Sequence, residues 1–133
     1  MFRSENERNE SWLLLQTTNV VSDGTTTLGA GAGQDPDHDF ALGFDQAVNV
    51  GVRSVLSYMV DAGASGVTFK MSILNPGATE IVPSTTLPAQ SGHVRQEVID
   101  ANVLKKTGNT LRIQVTAGSA SFSDMVLMHQ STV

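Results

Sequence analysis

RQEVIDANVLKKTGNTLRIQVTAGSASFSDMVLMHQ, residues 95 to 130, carries most of what this chain says about its fold. A short polar segment with an apolar stripe leads into Thr107-Gly108-Asn109. Leu111, Ile113 and Val115 then alternate with polar neighbours, the period-two signature of a half-buried strand. A Gly-Ser turn at 118–119 and a closing apolar run from Ser121 to Gln130 complete the segment. Two strands joined in this way fit the far end of an antiparallel β-sandwich.

The rest of the chain repeats the theme. Ser11 to Val21 is an apolar run ending in β-formers and reads as a strand. Phe40, Leu42 and Phe44 alternate. Val48 to Val60 is β-branched and reads as one bent strand, or as two with a bulge at Gly51. Asp61 to Gly66 reads as a turn, and Val67 to Leu74 alternates again, ending at the turn signal Asn75-Pro76-Gly77. Pro83 and Pro88 mark Ile81 to Leu87 as an edge strand or extended coil. Val94 to Ile99 is extended, and Asp100 to Lys105 is compatible with a single helical turn. Ser22 to Asp39 reads as a long loop. No segment sustains a 3.6-residue period, and no internal repeat is present. The expected class is therefore all-β, an antiparallel β-sandwich of jelly-roll type. Residues 1–10 form a polar arm and 11–133 a single domain.

Composition narrows the function classes. The 133 residues include 8 basic and 13 acidic side chains, a net charge of −5. Lys105-Lys106 is the only basic doublet, which argues against nucleic acid and against an anionic membrane surface. There is no cysteine, so disulfides and thiolate metal sites are excluded. Met1 to Glu10 is charged and lacks the apolar core of a Sec signal, so the expectation is a cytoplasmic protein or one released without such a signal.

Candidate sites are few. Asp35, Asp37 and Asp39 stand at alternate positions, and carboxylates so spaced can converge on calcium; the other reading is a solvated acidic turn. An EF-hand is ruled out, because Phe40 and Gln46 stand where it needs Gly and Glu. Gly29-Ala30-Gly31-Ala32-Gly33 fails as a dinucleotide loop, since Gln34 occupies the third glycine position. Trp12, Tyr58, His93, Arg95 and His129 are residues a sugar site would use, aromatic faces stacking on a pyranose and polar groups bonding its hydroxyls. Trp12 and Tyr58 equally suit a core. No nucleophile–base pair or facing carboxylate pair suggests catalysis.

Two motifs together resemble a known pattern. The strand ending in Ile73-Leu74-Asn75-Pro76-Gly77, and the run Glu97 to Leu111 with its Gly108-Asn109 step, are similar to the jelly-roll sandwiches of the galactose-binding-domain-like superfamily, including the sugar-binding domains of β-galactosidase-type enzymes. The resemblance implies a jelly-roll fold. It also implies a structural calcium where first and last strands meet, with Asp124 as a ligand and Asn19 or Asp23 nearby. The expected function is a non-catalytic, homo-oligomeric module recognising carbohydrate or a glycoprotein surface through the loops 22–39 and 89–96. The alternative is a structural subunit of a virion or injection-type assembly, its arm ordering on assembly.

Overall fold

A computed structural model describes residues 15–44 and 48–131. Trp12 and the arm at residues 1–10 lie outside the described residues. Among the described residues six strands follow one another: β1 (Leu15–Gly29), β2 (Asp37–Leu42), β3 (Ser54–Leu74), β4 (Ala78–Leu87), β5 (Gln90–Ile99) and β6 (Asn109–Ser131). All pairings are antiparallel.

The organising elements are β3 and β6, which pair with each other along nearly their whole length. The first half of β3, 54–62, lies between β5 and the second half of β6. The second half, 67–74, lies between β4 and the first half of β6. β1 flanks the second half of β6, and β2 flanks the first. The result is two four-stranded layers, β1–β6–β3–β5 and β2–β6–β3–β4, joined through the bends of the two long strands. This is an all-β antiparallel jelly-roll sandwich.

The bends show in the burial pattern. In β3 the buried side chains are Ser54, Leu56, Tyr58 and Val60, then Val67, Phe69, Met71 and Ile73. Even positions give way to odd ones, which a regular strand cannot do. The switch falls across Asp61 to Gly66. Opposite it, Gly118 has φ 69°, and a Cβ there would collide with the carbonyl oxygen of Gly66. Gly66, at φ 76°, is itself packed so that a Cβ would stand 2.6 Å from the carbonyl oxygen of Leu87. Backbone thus touches backbone at the fold line, and only glycine fits there.

A second switch lies in β6. Met59 pairs with Ser123 but Ser57 with Val126, so β6 carries one extra residue, a β-bulge at Asp124 with φ 51°. The two layers close over one core. Tyr58 and Phe122 come from one layer and Phe69 from the other. Their ring centroids are 6.5 Å apart for Tyr58–Phe69 and 5.4 Å for Phe69–Phe122, in edge-to-face contact.

Several sequence expectations shift. Asp61 to Gly66 and the Gly-Ser step at 118–119 are bends inside continuous strands: the ladder skips from Ala62–Ala120 to Val67–Gly118 and resumes on the other side of the facing glycines. Ser22 to Gly29 belongs to β1: its threonines pair with Ser121 to Ser123, leaving a connection of only 30–36. Residues 90–96 are strand, not loop. Gly51 lies in a turn before β3, its N–H bonded to Asn49 Oδ1 at 3.1 Å. Asp100 to Lys105 forms a turn, with Val103 N–H to Asp100 O at 3.3 Å and Asn102 at φ 68°, and no helix.

The two motif asparagines are structural. Asn109 Oδ1 accepts from Lys105 N–H at 2.9 Å and from Asn75 Nδ2 at 3.0 Å, and its own Nδ2 donates to Lys105 O at 2.8 Å. Asn75 also donates to Val103 O at 2.7 Å. Together they staple the connection 100–108 onto the end of the sandwich.

Candidate functional site: a polar cleft at the bent end

The architecture gathers four pieces of backbone at one end: the connection 30–36, the bend of β3, the short β4–β5 step at 88–89, and the bend of β6. Ala30 N–H donates to Gly118 O at 3.0 Å, and Val115 N–H to Pro36 O at 2.7 Å. Gly92 N–H donates to the Asp61 carboxylate. An open cleft of about 520 Å³ lies here, lined by Ala30, Gly31, Gln34, Ala64, Ser65, Gly118 and Ser119.

Its chemistry is uncharged. Gln34 is pinned by a tight turn: its N–H donates to Gly31 O at 3.2 Å, and its Oε1 accepts from Gly31 N–H at 3.0 Å. Its Nε2 and the side chains of Ser65 and Ser119 supply the polar groups of the lining. The small residues of the glycine-alanine run and of the β3 bend keep the cleft wide. The sequence pointed to the segment around 30–36 but not to Ser65 and Ser119. Both looked like hairpin-turn serines, and only the shared bend brings them together.

Tyr58 and Arg95, predicted for a sugar site, do meet, but inside the edge of the sandwich. Tyr58 is 1% exposed, so its ring stacks on core residues rather than on a ligand. Its hydroxyl donates to Glu97 Oε2, and Arg95 Nε donates to that hydroxyl at 3.2 Å and to Glu97 Oε2 at 3.1 Å. Glu97 was missed, although its alternation with Arg95 and His93 on one face of β5 was readable. Burial, then the hydrogen bond to Glu97, pushes the Tyr58 phenol well above its ordinary 10.0. The neutral phenol is the folded form, so its stabilisation is complete below about pH 10 and is lost as pH rises through the elevated folded value. Tyr58 is the one tyrosine. An ultraviolet titration should therefore show no phenolate at pH 10.5 while the fold persists, and its release should coincide with unfolding. A simple phenolate titration centred near pH 10 in folded protein would contradict this arrangement.

His93 stands on the same face of β5, near Gln90 Oε1 at 3.4 Å, and is not among the residues lining the cleft. His129 is buried, its ring nitrogen Nε2 against Asn19 Oδ1.

The acidic residues do not converge. Asp37 and Asp39 share a face of β2, in a shallow groove with His38 and Arg112. Arg112 Nε and Nη2 hold the two Asp39 oxygens at 2.7 and 2.9 Å. These hydrogen bonds lower the Asp39 pKa from its ordinary 3.8. Asp124 is exposed at its bulge in the other half of β6. Among the described residues, no three His, Asp or Glu side chains form a group able to hold a metal ion. A guanidinium already holds the Asp39 carboxylate, and Asp35, Asp37, Asp39 and Asp124 make up no such group.

No family model matches the sequence, and no curated protein matches it. Solved structures do resemble the fold. A chain in the structure of infectious bursal disease virus, Gx strain, superposes with a TM-score of 0.55 at 16% identity, over 89% of this chain and 33% of that one. This chain thus spans about a third of that viral protein. A structure described as "CBM4 structure and function" gives a TM-score of 0.48 at 16% identity, covering 84% of this chain and 92% of that one. A carbohydrate-binding module from Cellvibrio mixtus lichenase 5A, in complex with cellotriose, gives 0.44 at 12% identity, covering 85% and 95%. At these identities the likeness concerns the fold.

Proposed function

We propose that this chain is a non-catalytic carbohydrate-binding module that takes its ligand in the cleft at the bent end of the sandwich. The observation that carries the reading is the lining of that cleft. An amide and two hydroxyls stand on a floor of Gly and Ala, with no charged side chain among them. Sugar hydroxyls are both donors and acceptors, and neutral groups of this kind match them without a desolvated charge. The cleft is open rather than enclosed, which suits a chain of sugar units lying across it better than a small buried molecule. The lining holds no His, Asp, Glu or Lys that could activate its serines or act as general acid, which supports binding without turnover. Carbohydrate is also the ligand class named for the modules of similar fold, and the cleft supplies this chain's own reason for it.

The full chain on a glycan array should bind a defined set of glycans, competed by the same free sugar. The triple variant Gln34→Ala, Ser65→Ala, Ser119→Ala should lose that signal at least about tenfold, as expected for several hydrogen bonds removed together, with little change in melting temperature. Binding that survives the triple change would move the site elsewhere. Absence of any binding by folded protein would remove the reading.

A further inference from the structure

We infer that two copies of this chain pair edge to edge through β5, antiparallel, with Gln96 of each copy opposite Gln96 of the other. This is independent of the carbohydrate reading. Edge strands expose unpaired backbone N–H and C=O groups, and proteins ordinarily blunt them with proline, bulges or charges. Among the described residues, three of the four edges are blunted. β4 contains Pro83 and breaks register near Met71. β2 is six residues long and follows Pro36. β1 is irregular between Val20 and Thr25.

β5 is the exception. It has ten residues and no proline, and from His93 to Ile99 it pairs with β3 without interruption and, among the described residues, with no strand on its other side. On its outer face Val94 and Val98 are 62% and 55% exposed, a large apolar exposure for a pair of strand residues.

The residues around Gln96 are self-complementary. Val94-Arg95-Gln96-Glu97-Val98, laid antiparallel on itself about Gln96, sets Val94 opposite Val98 and Arg95 opposite Glu97, each twice. Such cross-strand pairs are the stabilising unit of a sheet. Shifting the two-fold by one residue places Arg95 against Arg95 or Glu97 against Glu97, so charge selects the register. The apolar rows also continue across the join: Val94 neighbours Met59 on β3, and Val98 neighbours Val55. Each row then runs Met59, Val94, Val98, Val55, changing copy at its centre. On the inner face, Arg95 is already positioned by Tyr58 and Glu97 through Nε. Its other guanidinium N–H groups suit the facing Glu97. A C2 pair of this kind is closed and extends one layer from four strands to eight.

Sedimentation velocity of the full chain over a concentration series tests this directly. The wild type should show a monomer–dimer equilibrium. Gln96→Lys and Gln96→Glu, both on the exposed face, should each weaken dimerisation at least about tenfold, since like charges would stand directly opposite. An equimolar mixture of the two should recover a dimer. Val94→Lys should weaken it as well, with an unchanged circular dichroism spectrum as the control for folding. A monomeric wild type, or a dimer indifferent to these changes, would overturn the inference, as would a mixture no tighter than either variant alone.

Discussion

Gly118→Ala should be among the most damaging single-methyl changes in this protein. The new Cβ meets the carbonyl oxygen of Gly66, a backbone atom that cannot rotate away. The residue must also hold φ 69°, which costs a non-glycine residue about 1 kcal/mol or more by itself. Overpacking against fixed atoms adds about 1–3 kcal/mol. A loss of about 2–4 kcal/mol is expected, since the bends of β3 and β6 must separate for the methyl to fit. Gly33→Ala is the control. Its φ is 77°, but no atom stands within 4 Å of its Cβ position, so only the conformational cost of about 1 kcal/mol applies. Urea unfolding of both variants separates strain from collision. Equal losses would mean the two bends are not in contact.

Phe69→Ala should be comparably severe for a different reason. Phe69 has no exposed surface and packs edge-on against Phe122 at 5.4 Å and Tyr58 at 6.5 Å. It is the main aromatic contact between the layers. Truncation removes the transfer energy of a buried ring and leaves a cavity that the rigid sheets cannot close, about 3–5 kcal/mol in all. Phe69→Leu keeps most of the volume and should cost less than half as much, about 1–2 kcal/mol. A small loss for Phe69→Ala in a urea titration would show that the layers do not share this core.

The strands were legible because their burial has period two. Leu111, Ile113 and Val115 show it, as do Val67, Phe69, Met71 and Ile73. What misled was glycine. Asp61 to Gly66 and the Gly-Ser step at 118–119 carry turn chemistry, and local reading makes them hairpin turns. Only the long-range meeting of Gly66 with Gly118 reveals them as a fold line across two continuous strands. The same nonlocal contact hid the cleft, because Ser65 and Ser119 come together only through it. Tyr58 and Arg95 were each read as residues suited to a sugar site. Their closeness depends on the register of β3 with β5, which also turns the ring inward. The three alternate aspartates suggested a cation site, but Arg112, opposite Asp39 in the ladder, is separated from it by 73 positions and could not be assigned to it by spacing.

The most direct test of the central claim is to map the ligand on the protein. Backbone amide resonances of the isotope-labelled chain would be followed during titration with the strongest glycan from the array. Carbohydrate bound in the bent-end cleft should shift Gly31, Gln34, Ser65, Gly118 and Ser119 in a saturable, concentration-dependent way, with β2 and the outer face of β5 undisturbed. Saturable shifts centred on the Asp37–Arg112 groove or on the β5 edge, with the cleft silent, would contradict it.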